Sequence, residues 1–413
     1  MYVCKVLFGT SEFSLRLPNV LAFILYLTGC FYIFRKSNNS WLFLFGISLC
    51  ALSPFIVEFF SLARGYGLSL AFMMMSMFFL IKNKAPYKTY SVFRNDFIYC
   101  VLFATMAAGS NLVMLNFLIS VLAVFIIKFW HFSKEKNKNT KNTRNFVFLF
   151  LMASIPIVMG ITNLVILKRL NQLYSGATTF MGGFDDLLRS SISFPEHYGM
   201  IILSIKYIIS LSLLVGVVFI VIKKKFNVAF FYVTTIMTLL VIGILLEHFL
   251  FGSKFPYGRS TLFYLPIIAL YIYYLLLELI NTYSIKKRVY VPIILCLIAP
   301  LYLNFFTGVN FTHATTWRYD AHPKEAMGIV KSYTEDEAYK ATITNHWLTP
   351  AINYYISTWD LNLYPATRNG VDPRANFIYH HNKFDTPDNF EEIFSPEEPR
   401  ARLLMKRGTN RVE

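Results

Sequence analysis

Apolar residues along this chain fall into long unbroken runs, not into the alternating pattern of half-buried strands or the narrow stripes of surface helices. Runs of the length needed to cross a ~30 Å hydrocarbon layer cover residues 17–34, 41–60, 66–81, 146–167, 200–222, 228–246, 261–280 and 289–306. Each predicts a transmembrane helix. The further run 97–130 would reach about 50 Å as one helix, so Gly109-Ser110-Asn111 is expected to divide it into two shorter spans. Its flanking loops, 82–96 and 128–145, are both basic and therefore both expected on the cytoplasmic side.

Ten spans then place Arg35-Lys36, Lys82, Lys84, Lys88, Arg94, the 134–144 lysine cluster, Lys223-Lys224-Lys225 and Lys286-Lys287-Arg288 on one side. The loops around Arg64, 168–199 and 247–260, and everything after 306, fall on the other. The predicted fold is an all-α polytopic membrane protein of about ten transmembrane helices (1–306) with a small C-terminal α/β extracytoplasmic domain (307–394). Within that domain 323–332 and 349–357 read as helices and 341–344 as a strand. Trp317, His346 and Trp347 there are either acceptor-selecting residues or ordinary core and surface aromatics. The segment 395–413, with Glu397, Glu398, Arg400, Arg402, Lys406, Arg407 and Arg411 and few core residues, is expected to be a disordered charged tail.

Composition agrees. The 413 residues are 55% hydrophobic and 15% charged, with a mean hydropathy of +0.48, outside the range of soluble domains. A net charge of +16 would suggest nucleic acid if it lay on one soluble face. Here it follows the loops, so no nucleic-acid partner is expected. The five cysteines, Cys4, Cys30, Cys50, Cys100 and Cys296, have no paired spacing, which points to packing residues and not to disulfides or zinc. Residues 1–16 lack the apolar core of a signal peptide. No internal repeat of the kind that builds two-halved transporters is evident.

On this topology the unusual charges in or beside spans gather at the external end: Glu58, Arg64, Glu247, His248, Lys254 and Arg259. Such charges usually face a protein interior or an aqueous cavity. Arg64 lies in Ser61-Leu62-Ala63-Arg64-Gly65-Tyr66-Gly67, where glycines allow a sharp turn and a close approach to a ligand. Arg259, in Phe255-Pro256-Tyr257-Gly258-Arg259-Ser260, repeats the arrangement. Two arginines with planar donor forks favour an anionic ligand such as a phosphate, with Tyr66 and Tyr257 beside them; the plainer alternative is interfacial snorkelling. Glu58, one turn beyond Pro54, is either a site organiser or a snorkelled carboxylate. Glu247-His248 offers a base or a metal ligand, but one Glu and one His do not define a metal site. A divalent metal is possible but not supported, and no cofactor is required. Asp185-Asp186 reads first as a solvated loop pair.

In this order, Phe8-Gly9-Thr10-Ser11-Glu12-Phe13-Ser14-Leu15-Arg16-Leu17-Pro18, Ala51-Leu52-Ser53-Pro54-Phe55 through Ala63-Arg64-Gly65-Tyr66-Gly67-Leu68, and Pro256-Tyr257-Gly258-Arg259-Ser260-Thr261-Leu262-Phe263-Tyr264-Leu265-Pro266 resemble the GT-C superfamily of polytopic glycosyltransferases. The similarity is to the bacterial branch around family 39, which includes protein mannosyltransferase-like and aminoarabinose transferase-like enzymes. That resemblance implies sugar transfer from a polyprenyl-phosphate or polyprenyl-diphosphate carrier to a lipid, protein or glycan acceptor outside a bacterial inner membrane. Arg64 and Arg259 would stabilise the departing lipid phosphate. The family's catalytic acid sits in a long loop after its first span, and Met1–Lys5 resembles the end of that loop. The chain is therefore expected to lack the first span and loop, to contain no identified catalytic base, and to be inactive or impaired as it stands. Other readings are a transporter or flippase for lipid-linked saccharides and a non-catalytic membrane subunit. A transporter should carry ionisable residues near span centres.

Overall fold

The computed structural model describes residues 6, 8–37, 39–83, 87, 89–135, 140–170, 176–192, 198–222, 227–309, 321–335, 339–345, 349–367, 372–381, 387–396 and 401–408. Trp317-Arg318-Tyr319-Asp320, His346, Trp347, Met1–Lys5, Glu397, Glu398, Arg400 and Arg411 lie outside the described residues. The chain forms two compact units, Met1–Val309 and Asn310–Glu413.

The first unit is a polytopic membrane bundle. Its helices are α1 (Glu12–Phe34), α2 (Ser40–Ala51), α3 (Pro54–Ser61), α4 (Gly65–Lys82), α5 (Tyr90–Ser110), α6 (Leu115–Glu135), α7 (Thr140–Arg169), α8 (Phe180–Ser191), α9 (Tyr198–Ile222), α10 (Val228–Phe251), α11 (Tyr264–Tyr283) and α12 (Lys287–Gly308). Among the described residues eight helical segments are long and apolar enough to cross a membrane, or nine if the bent pair α2–α3 counts as one crossing. The remaining expected crossing is α5, which at 21 residues is long enough but carries Arg94 and Asp96 in its first turns. The 41–60 run is not one kinked helix. Ser53 caps a new helix at Pro54, whose ring cannot continue the preceding hydrogen-bond ladder, and the axes meet at 57°.

The expected break near Asn111 is present. Asn111 is extended, donates its backbone N–H to Ala107 O and accepts Val113 N–H on its side chain, so α5 stops and a 3-10 turn, Leu112–Met114, starts α6. The glycine that matters here is Gly65. A Cβ at that position would strike the carbonyl oxygen of Ser110, so Gly65 lets the start of α4 lie directly against the end of α5.

Charges also gather at the other end of α4, contrary to the expected asymmetry. Lys128 is fully buried and donates to Leu80 O at 2.5 Å, while Lys36 donates to Ile81 O at 3.1 Å and to Lys82 O. Two lysines from two other segments thereby satisfy the terminal carbonyls of α4, where cations are favoured by the helix dipole. Buried Asp96 accepts Asn83 Nδ2 at 2.6 Å, and the rings of Tyr232, Phe125 and Tyr87 surround the Lys128 ammonium at 4.6, 5.0 and 5.2 Å. Buried Glu278 accepts the Asn227 N–H at 2.9 Å. Each of these charges has a partner at a helix end.

The second unit packs α13 (Pro323–Thr334) and α14 (Thr349–Thr358) with a sheet of order β1-β2-β4-β3, built from β1 (Ile343–Asn345), β2 (Phe377–His381), β3 (Phe390–Phe394) and β4 (Ala401–Lys406). β1 and β2 are parallel; β4 is antiparallel to both β2 and β3. β4 corrects the expectation of a disordered tail. Its Ala401, Leu403, Leu404 and Met405 are buried, and Arg402 pairs with Glu392 on β3 at 3.2 Å. A short inner strand needs only a few apolar residues, so the charges of the wider segment concealed it. Cys30, Cys50 and Cys100 are buried free thiols and Cys296 is exposed; Cys4 lies outside the described residues.

Candidate functional site

Arg64 sits in the three-residue passage between α3 and α4 as the extended N-cap of α4, with φ −139° and ψ 156°. What holds this bend is Asn19, a residue the sequence analysis did not single out. Asn19 lies in α1 just after Pro18 and is only 2% exposed. Its Nδ2 donates to the carbonyls of Leu62 and Arg64, and its Oδ1 accepts the Leu68 N–H at 3.2 Å. One amide thus bonds to backbone groups on both sides of the turn, and the Leu62 carbonyl also accepts the Arg64 N–H at 2.8 Å. An asparagine inside an apolar span was the available signal.

Arg259 sits in a 3-10 turn, Gly258–Thr261, leading into α11. Gly258 has φ +59°, a conformation that glycine adopts without Cβ strain. The Ser260 hydroxyl accepts the Tyr257 N–H and donates to the Tyr257 carbonyl, both at 2.8 Å. The turn leans on α8. Ala177 and Phe255 exchange two backbone hydrogen bonds of 2.9 and 3.0 Å, and Asp186 Oδ2 accepts the Gly258 N–H at 2.5 Å. Burial pushes the Asp186 carboxyl above its usual range, partly offset by the Gly258 N–H and the Tyr257 phenol. In return the Asp186 charge, then burial, raises the Tyr257 phenol. Asp186 is therefore not a freely solvated loop acid. Asp185 is bound elsewhere, to Lys206 of α9 at 2.9 Å.

The two arginines converge on Tyr66, in the first turn of α4. The Arg259 guanidinium carbon lies 5.7 Å from the Tyr66 ring centroid, and the charges of both Arg259 and Arg64 act on the Tyr66 phenol. Phe59 packs edge-on against the same ring at 5.2 Å. Alongside, an apolar cavity of about 170 Å³ reaches the Arg259 turn through Pro256 and Thr261 and is walled by Phe184, Leu213, Met237 and Tyr264. Two cationic forks, a phenol and an apolar recess make an environment for an amphiphile with an anionic head.

The remaining candidates have other partners. Glu58 is 5% exposed, which removes the snorkelled alternative; its α3 neighbours Phe55 and Phe59 are buried with it. Glu247 lies near the Asn116 side chain of α6 and the Tyr264 phenol. His248 Nδ1 is 2.7 Å from Ser253 O, and its ring stacks on Phe255 at 4.2 Å, so it closes the turn after α10. Lys168 donates to Phe251 O at 2.5 Å at the same turn. Among the described residues no group of three or more His, Cys, Asp or Glu side chains could hold a metal ion.

No protein-family model matches the chain, and no curated protein matches it. Two crystal structures of ArnT from Cupriavidus metallidurans are similar to it, each over 97% of this chain and 85% of the other at 12% identity. The structure bound to undecaprenyl phosphate gives a TM-score of 0.40, and the apo structure gives 0.35.

Proposed function

We propose that this chain is the membrane core of a glycosyltransferase that moves a sugar from a polyprenyl-phosphate-type carrier to an acceptor on the extracytoplasmic side of a bacterial inner membrane. The observation that supports it best is the meeting of Arg64 and Arg259, from distant parts of the chain, around Tyr66 and beside an apolar cavity. In the reaction an acceptor oxygen attacks the anomeric carbon while the bond from that carbon to the phosphate oxygen breaks. The electron pair leaves with the lipid phosphate. Arg64 and Arg259 would face that charge as it develops, where fixed cations lower the barrier most. The apolar cavity would receive the first isoprenoid units. The acceptor proton passes to a base that no residue of this chain is assigned to supply. Two arginines provide the positive charge, so the reading requires no metal.

The buried charges at the far end of α4 do not favour a transporter, because Lys36, Lys128 and Asp96 are engaged with helix ends and loop groups. A transfer assay on the purified protein with radiolabelled polyprenyl-phosphate sugar tests the proposal. Arg64→Ala and Arg259→Ala are each expected to lower the rate by roughly 100-fold. Unchanged rates in both variants, or movement of the lipid across vesicles without transfer, would overturn it.

A further inference from the structure

The Arg259 turn depends on a group outside itself. Gly258 opens a 3-10 turn, and N–H groups at the start of a helix have no partner within it. That N–H goes to Asp186 Oδ2 at 2.5 Å, and the charge of the same carboxylate acts on the phenol of the preceding residue, Tyr257. One carboxylate therefore holds the backbone of the residue immediately before Arg259. The grip is oriented by α8. Gly183 lies three residues earlier on the same helical face, and a Cβ there would strike Pro256 O. The Ala177–Phe255 bridge aligns the incoming strand of the turn, and the Phe180 and Phe255 rings meet at 6.0 Å.

Other charges near Asp186 are differently placed. Arg189 acts on it from the next turn of α8, while adjacent Asp185 is engaged with Lys206. Asp186 thus has its contacts on the turn, whereas its neighbour ties α8 to α9.

We propose that Asp186 is a positioning residue that aims the Arg259 guanidinium at the anionic head group by holding the Gly258 N–H. This rests on the reading of Arg259 as a phosphate-binding residue. The energetics give the proposal a distinctive signature. A carboxylate whose folded pKa is raised contributes stability fully below its unfolded pKa and loses that contribution as pH rises through its folded pKa. Above that folded pKa the charged, half-buried Asp186 therefore costs the fold stability while serving the turn. A residue kept only for stability would show the reverse.

The test uses the full chain in nanodiscs, with undecaprenyl phosphate as the probe and hydrogen exchange of the 255–262 amides as a second readout. Asp186→Ala removes the acceptor of the Gly258 N–H and is expected to weaken probe binding about tenfold, the loss appropriate to a hydrogen bond with a charged acceptor, and to unprotect the Gly258 amide. Asp186→Asn keeps one acceptor; it should bind with intermediate affinity while its Tm at neutral pH stays level or rises. Asp185→Ala should remain within about twofold of wild type. The proposal is overturned if Asp186→Ala keeps wild-type affinity and exchange, or if affinity falls only in step with Tm across the series. If the wild-type chain does not bind the probe, the phosphate-binding reading of Arg259, and with it the aiming role, fails. The Gly258 exchange then reports separately whether Asp186 holds the turn.

Discussion

Arg64 and Arg259 stand in similar local sequence, each beside a glycine and a tyrosine at the mouth of an apolar run, yet different chemistry holds the two turns. The Arg64 bend is fixed by Asn19, a neutral amide buried inside the bundle that satisfies two carbonyls and one N–H. The Arg259 turn is fixed by Asp186, an ionisable group on a helix that lies against it. Neutral clamps suit the interior because they carry no Born cost, whereas a carboxylate is tolerated where its acceptors are used. One half of the candidate site is therefore set by the fold itself. The other half depends on the docking of α8.

This contrast predicts unequal responses to mutation. Asn19→Ala should be the most damaging change, because it removes three hydrogen bonds that a buried amide makes to the backbone of Leu62, Arg64 and Leu68; a loss of about 3 kcal/mol is expected, measured by unfolding in detergent. A variant with wild-type stability would mean that the Arg64 bend is held by something else. Gly65→Ala should cost less, about 2 kcal/mol, by forcing α4 away from Ser110 O. It should also lower affinity for the anionic probe, since Arg64 and Tyr66 flank the displaced residue. An alanine variant with both properties unchanged would contradict the close approach.

Much of this was legible in the sequence. Apolar runs located the helices because hydrophobic length is the dominant requirement for crossing a bilayer, and Asn111 marked the division between α5 and α6 because its side chain competes for backbone donors. The start of α13 at Pro323 and of α14 at Thr349 matched local signals in the same way. The two arginines with their tyrosines were singled out from turn chemistry alone, and the geometry sets Arg259 over the Tyr66 ring.

Partnerships across the fold were not legible. Asn19 has no local signature beyond being polar in an apolar run, and its targets are more than 40 residues away. Asp186 looked like a loop acid because the residue it serves, Gly258, is 72 positions further on. Lys128 and Asp96 read as loop and interfacial charges because only the assembled bundle buries them against the end of α4. β4 was concealed by its flanking charges, since sheet pairing and not local composition decides whether so short a segment is ordered.

The central claim is that Arg64 and Arg259 act on one anionic group. A double-mutant cycle of undecaprenyl phosphate binding to the full-length chain, with Arg64→Ala, Arg259→Ala and the double variant, addresses it directly. Residues that share one phosphate should show each single loss near tenfold or more, with a coupling energy of about 1 kcal/mol or greater in the double variant. Strictly additive losses, or binding that neither substitution disturbs, would contradict a shared phosphate site.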